Sequence, residues 1–177
     1  MDITAIYASP RKTGNSSTMV NKFLERFQNN NIKKFYLTDM QISGCKSCYS
    51  CKNNEVNECV LTDDMKEIYN SIEKSEIIVV GSPLYWWNIS SYLKSVIDRL
   101  YPYVGTNKLD GKLLVLMISG YSSIPNSGYD LIDNMFKEIC AYLNLRYCIY
   151  VASADDERLV SKNKDVLNEI HCMSLEL

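Results

Sequence analysis

The 177 residues carry 19 Lys and Arg against 21 Asp and Glu, a formal net charge of -2, and 46% of them are apolar. That length and apolar share are enough for one sizeable core and predict a single domain over residues 1–177. Lys and Arg are scattered rather than massed, which excludes nucleic acid as an expected partner, and no apolar run approaches membrane-spanning length.

The amino terminus shows no leader pattern, so the chain is expected to be cytoplasmic. In a reducing compartment its seven cysteines point to free, catalytic or metal-bound thiols rather than disulfides. His171 is the only histidine, so Ser-His-Asp triads and two-histidine metal sites are hard to build; near the end of a predicted helix it reads as a solvated residue. Neither a P-loop nor a G-x-G-x-x-G motif occurs.

In chain order, short apolar runs rich in β-branched and aromatic residues alternate with amphipathic stretches, the pattern of repeated βα units. The first predicted strand is Ile3 to Ala8, followed by a helix from Asn15 to Asn29 with Met19, Val20, Phe23, Leu24 and Phe27 on one face. Lys33 to Leu37 is a second strand. Asp63 or Asp64 caps a helix carrying Met65, Ile68, Tyr69 and Ile72, and Glu76 to Gly81 forms a nearly all-apolar, central strand. A helix over Ser90 to Tyr101 turns Tyr92, Leu93, Val96, Ile97 and Leu100 inward and ends at Pro102. Then come a strand over Lys112 to Ser119, a helix over Asp130 to Leu143, a strand over Arg146 to Ala152, and a closing helix over Lys162 to Cys172 with Val166, Leu167 and Ile170 inward.

Five strands joined by helical crossovers predict an α/β fold of three layers, a flavodoxin-like parallel sheet in the order 2-1-3-4-5 with helices on both faces. In such a sheet a ligand sits beyond the carboxyl ends of the strands, at the switch point between the first and third. Three loops meet there: Ser9 to Ser17, Ser82 to Asn88, and Ser119 to Ser127.

In the first loop, Ser9, Arg11, Asn15, Ser16 and Ser17 bring hydroxyls, an amide, a guanidinium and the free N–H groups of a helix amino terminus to one point, which suits a phosphate. The same segment also reads as an ordinary βα loop with Asn15 or Ser16 as helix cap. Three consecutive aromatics, Tyr85, Trp86 and Trp87, follow Pro83 and Leu84 in the second loop. They fit a flat ring system, a dimer contact, or both. In the third loop, Ser119, Gly120 and Tyr121 offer backbone groups, with Gly120 leaving room for a close approach.

Residues 38–62 are long for a connection and carry C-x2-C-x2-C-x7-C at Cys45, Cys48, Cys51 and Cys59. That spacing is compatible with a 4Fe-4S cluster, with free thiols, or with zinc. Cys140, Cys148 and Cys172 fall on helical or strand patterns and read as small buried apolar residues.

The segments Ala8 to Ser16, Gly44 to Cys51, Asp63 to Met65, Gly81 to Trp86 and Leu93 to Arg99 together resemble the NADPH-dependent FMN reductase family, most closely its iron-sulfur flavoprotein branch. By that resemblance Ser9, Arg11, Asn15, Ser16 and Ser17 hold the FMN phosphate. Pro83, Leu84, Tyr85 and Trp86 line the ribityl chain and ring, and Ser119, Gly120 and Tyr121 close the other side. The resemblance also implies a 4Fe-4S cluster on Cys45, Cys48, Cys51 and Cys59, whereas Lys94, Asp98 and Arg99 look structural. The expected function is an FMN-dependent oxidoreductase taking electrons from NADH or NADPH and passing them to a small-molecule or protein acceptor, in a homodimer or higher homo-oligomer. The chemistry would be carried by flavin N5, with no catalytic side chain. A flavodoxin-like electron carrier and a metal-stapled interaction module are the alternatives.

Overall fold

The computed structural model describes residues 1–53 and 57–175. The predicted cysteine loop therefore falls within the described residues except at 54–56. Five strands, β1 (Asp2–Tyr7), β2 (Asn31–Tyr36), β3 (Ile77–Pro83), β4 (Leu113–Gly120) and β5 (Arg146–Ser153), form one sheet in the order β2-β1-β3-β4-β5. Every pairing is parallel; Ile6 lies beside Val80, Val80 beside Leu116, and Leu116 beside Ile149. The expected fold is the observed one. β3 and β4 are buried on both faces, which is why they read as continuous apolar runs without alternation. The edge strand β2 instead exposes Lys33 and Lys34, charges that discourage a further strand from pairing there.

The helices are α1 (Asn15–Leu24), a short α2 (Ser50–Asn53), α3 (Met65–Ile72), α4 (Ser91–Asp98), α5 (Ser127–Tyr142) and α6 (Lys164–Cys172). Under α1 and α6 lies one core, where Met19, Val20 and Phe23 meet Ile3, Val79, Val115 and Met117. On the other face α3, α4 and α5 bring Ile68, Leu93, Val96 and Phe136 onto Ile6, Val80 and Leu116. Each such side chain, once fully buried, contributes about 1.5–3 kcal/mol relative to remaining in water.

Several boundaries differ from the sequence expectation. The α-helical part of α1 stops at Leu24 and tightens into a 3-10 turn over Glu25–Phe27, which still buries Phe27. Leu37 opens a 3-10 turn instead of closing β2. α5 begins three residues early because the Asn126 side chain accepts from the Gly128 N–H, and α6 begins two residues late because Asn163 caps it through the Val166 N–H. Pro102 lies inside a 3-10 turn over Tyr101–Tyr103 after α4 has ended at Asp98. Tyr92, expected inward, is exposed on α4. Cys140 is buried as expected, but Cys148 is half-buried on the terminal strand β5 and Cys172 is exposed at the last residue of α6. His171 is solvated, as read.

Candidate functional site

The carboxyl ends of β1, β3 and β4 open into a cavity of about 660 Å³. Ser9, Arg11, Thr13, Gly14, Asn15 and Ser16 line one end; Pro83, Leu84, Tyr85, Ser119, Gly120 and Tyr121 line another part of its wall. Ten of the twelve residues expected to hold the cofactor thus border one space. The remaining two do not. Ser17 is buried and its hydroxyl donates to the Arg11 carbonyl at 3.3 Å, so it braces the loop from behind. Trp86 stands 90% exposed at the tip of a tight turn in which the Tyr85 and Asn88 backbones exchange two hydrogen bonds, of 2.7 and 2.9 Å. Both tip residues, Trp86 and Trp87, adopt positive φ (47° and 61°), a conformation that bulky residues occupy only at a conformational cost.

The local backbone explains how the first end forms. The Gly14 N–H donates to the Arg11 carbonyl at 2.9 Å, closing a turn, and the N–H of Arg11 donates to the Ser9 hydroxyl oxygen at 3.1 Å. Ser9 therefore keeps its own proton to donate elsewhere. Gly14 is the N-cap of α1 and supplies no side chain, so the helix begins without a side-chain acceptor for its first N–H groups. Gly81 lets this helix lie close to β3. A Cβ there would come within 2.6 Å of Val20 Cγ2 and 3.0 Å of the Ser16 carbonyl oxygen. Gly120 performs the same service across the cavity, where a Cβ would fall 2.8 Å from Leu84 Cβ and 3.0 Å from the Tyr129 hydroxyl.

The connection from β5 to α6 was missed by the sequence reading. Ala154, Asp155, Asp156 and Leu159 line the cavity too. Asn15 clamps this connection at both ends, donating to the Asp155 carbonyl at 3.2 Å and accepting from the Val160 N–H at 2.9 Å. Its amide is therefore engaged with protein rather than directed at a phosphate. Arg158 donates to the Asp155 carboxylate at 2.8 Å, to the Ser153 hydroxyl at 3.0 Å and to the Tyr121 carbonyl at 2.7 Å, joining this connection to the third predicted loop. These Arg158 hydrogen bonds hold the Asp155 carboxyl below the ordinary range. The available signal was the charged run Asp155-Asp156-Glu157-Arg158 directly after the last strand, where a doubly wound sheet places its loops around a ligand.

For FMN the donor chemistry fits. A guanidinium, two serine hydroxyls and an uncapped helix amino terminus suit a phosphate monoester, and Pro83, Leu84 and Tyr85 supply apolar surface for a ring.

A second cavity, of about 300 Å³, is lined by all four clustered cysteines with Tyr49, Leu61, Asp98, Arg99 and Tyr101. It shares no lining residue with the first. Arg99 builds its base. The guanidinium is 1% exposed and donates to both Asp63 carboxylate oxygens, at 2.9 and 3.2 Å, and to the Ser43 carbonyl at 2.9 Å. Burial pushes the Asp63 carboxyl up, but hydrogen bonds from Arg99 and from the Ser43 N–H outweigh it and hold the group below its usual value. Lys94 pairs with Asp98 at 2.5 Å on the surface of α4, so all three of these charges are structural in place. Lys52, next to Cys51, fastens α2 to the Tyr101–Tyr103 turn through the Pro102 and Val104 carbonyls.

Four thiols around one cavity supply a donor set that fits a thiolate-held group. Among the described residues, however, no three potential ligands converge closely enough to hold a metal ion. The thiols also differ. Hydrogen bonds from Ser50 lower the Cys48 pKa, whereas burial, followed by the neighbouring Cys59, raises that of Cys51.

With this geometry in view, residues 1–149 match the NADPH-dependent FMN reductase family, and the chain belongs to it. An iron-sulfur flavoprotein of Archaeoglobus fulgidus is 34% identical over 114 residues, covering 63% of this chain and 51% of that one. An iron-sulfur flavoprotein of Methanosarcina thermophila is 32% identical over 101 residues, 56% of this chain and 52% of the relative. The matches thus span about half the length of these two relatives. Among solved structures, an NAD(P)H:quinone oxidoreductase from Methanothermobacter marburgensis superposes with a TM-score of 0.72 at 17% identity, covering 97% of this chain and 92% of that one. An FMN-dependent NADH-azoreductase from Bacillus anthracis in complex with FMN gives 0.68 at 20% identity over 97% and 96%. At these identities the two structures establish a shared fold.

Proposed function

We propose that this chain is an FMN-dependent oxidoreductase that takes electrons from NADH or NADPH and passes them to a small-molecule or protein acceptor. The observation that carries the reading is the single cavity at the carboxyl ends of β1, β3 and β4, with anion donors at one end and an apolar wall beyond them. When bound, FMN supplies the redox chemistry through its ring. Arg11, Ser9, Ser16 and the first N–H groups of α1 would hold the phosphate, and Gly120 and Ser119 would face the isoalloxazine opposite Tyr85. The protein's part is then to place the ring and leave one face open to a nicotinamide. Acid-base chemistry is poorly served there: Asp155 is held by Arg158 with its carboxyl below the usual range.

The proposal extends to Cys45, Cys48, Cys51 and Cys59 as ligands of a 4Fe-4S cluster, supported by their common cavity and by the names of the relatives. It also includes a homodimer, supported by the exposed Tyr85, Trp86, Trp87 and Tyr92, and a cytoplasmic location; among the described residues no helix is long and apolar enough to cross a membrane. Anaerobic purification tests the whole reading. The protein should be yellow, Arg11→Ala should lose FMN, and iron with acid-labile sulfide should accompany the intact cysteines. Steady-state NAD(P)H oxidation separates an enzyme from a flavodoxin-like carrier. A colourless protein with no affinity for added FMN would refute the assignment.

A further inference from the structure

The phosphate end of the cavity already contains an anion belonging to the chain. Arg11 Nη1 donates to Asp156 Oδ1 at 2.5 Å, and both residues line the cavity. Neither is buried, the side chains being 68% and 77% exposed. The segment that carries Asp156 is nevertheless fixed. Asn15 grips it at the Asp155 carbonyl and the Val160 N–H. Asp155 is tied down as well, accepting from the N–H groups of Glu157 and Arg158 at 2.8 and 2.6 Å and from the Arg158 guanidinium. Of the two cavity carboxylates, Asp155 therefore maintains the loop, and Asp156 is the one presented to Arg11.

A single guanidinium carries one positive charge. A phosphate monoester brings a charge of about -1.5 to -2 and three strong acceptor oxygens, so it cannot share Arg11 with a carboxylate without like-charge repulsion. We infer that Asp156 is a built-in competitor for Arg11: the flavin's phosphate must displace it on entry, and it reclaims the guanidinium as the phosphate leaves. The inference rests on the FMN reading of the cavity. Its consequence is that the tail is held less tightly, and released faster, than the donors alone would dictate. The segment 155–157 becomes the element that sets how readily the cofactor exchanges.

An exposed ion pair is worth little, so the effect is modest and specific: about twofold to fivefold in affinity. The test compares FMN with riboflavin, which lacks the phosphate, by flavin fluorescence titration and stopped-flow release. Asp156→Asn should bind FMN about twofold to fivefold more tightly and release it more slowly, while its affinity for riboflavin stays that of the wild type. In an Arg11→Gln background, titrated at FMN concentrations high enough to saturate the weakened site, the same change should give no gain. The inference is overturned if Asp156→Asn leaves FMN affinity unchanged or weakens it, if riboflavin gains equally, or if the gain survives in Arg11→Gln, which would mean simple repulsion. Those outcomes leave the FMN reading standing when wild-type protein binds FMN. Wild-type protein that binds neither flavin overturns that reading and the competition together.

Discussion

Replacing Asp63 by Asn should destabilise the protein by about 3–5 kcal/mol, the range for removing one partner of a buried ion pair and leaving the other charged. Three features of the structure place it there. Arg99 is 1% exposed on its side chain and Asp63 12%, so neither charge can recover its solvation by a small movement. The guanidinium uses its two terminal nitrogens on Asp63 and Ser43, and its Nε already lacks a partner. Asn would preserve the shape and one carbonyl oxygen but remove the charge. For a chain of this length each kcal/mol shifts the melting temperature by about 2–4 °C, so a fall of about 6–20 °C is expected. Urea unfolding with a thermal scan measures it, and Lys94→Ala is the control. Lys94 and Asp98 form an exposed i,i+4 pair worth at most about 0.5 kcal/mol. A loss for Asp63→Asn of under about 1 kcal/mol, close to the control, would refute the reasoning. The same carboxylate sets a pH signature. Its folded-state pKa lies below the unfolded one, so its contribution is complete above about pH 4, the unfolded carboxylate range, and fades as the pH falls through the folded value. Asp63→Asn should therefore be less stable than wild type at neutral pH, with the difference narrowing in acid.

Three other outcomes are expected. Gly81→Ala puts a methyl 2.6 Å from Val20 Cγ2 and 3.0 Å from the Ser16 carbonyl, so α1 must shift; about 1–3 kcal/mol of stability should be lost, with weaker FMN binding, and crystallography of a fully stable variant with α1 unmoved would contradict this. Trp86→Ser should weaken self-association by about tenfold or more in analytical ultracentrifugation, since large aromatic anchors dominate interfaces; an unaltered dimer constant, or a monomeric wild type, sinks the assignment of this turn to the interface. In metal-free protein, Cys48 should react with a disulfide reagent orders of magnitude faster than Cys140, because Ser50 lowers the pKa of the first, exposed thiol while burial pushes the second up to about 12. Comparable rates at the two positions, read by mass spectrometry, would count against it.

How much of this was legible in the sequence depends on the range of the interaction concerned. β3 and β4 were readable because burial on both faces demands an unbroken apolar run, and the order of the sheet follows from the handedness of the crossovers. The loop after β1 was readable as part of a cavity wall because its residues are contiguous. By contrast, the roles of Asn15 and Arg11 depend on partners 140 and 145 residues away, at Asp155 and Asp156. Nothing in the run around Asn15 announces that its amide will be taken by a distant backbone. Trp86 lies outside the cavity for a different reason. Aromatic content argues that a residue meets something, but only the turn geometry decides which side of the loop it leaves by, and two consecutive positive φ angles send it outward. Similarly, Arg99 looked like an ordinary helix-end charge until Asp63 and Ser43 closed around it.

The arrangement of α4 bears on how the two cavities relate. Its first turn is anchored beside the carboxyl end of β1, where the Ser90 hydroxyl donates to the Ala8 carbonyl at 2.7 Å and accepts from the Leu93 N–H at 3.3 Å. Its other end carries Asp98 and Arg99 into the wall of the cysteine cavity. Eight helical residues rise about 12 Å, so this short, rigid element runs from the carboxyl end of β1, next to Ser9 of the first cavity, to the wall of the second. Leu93 and Val96, both buried on the sheet, fix that element between them. The cysteine segment itself is attached differently, by Arg99, Asp63 and Lys52 contacts to the ends of helices and turns rather than by strand pairing. None of those contacts involves a residue that lines the cavity at the strand ends. The loop at the first cavity is thus built from contiguous backbone, whereas among the described residues the four thiols around the second do not converge closely enough to hold a metal ion.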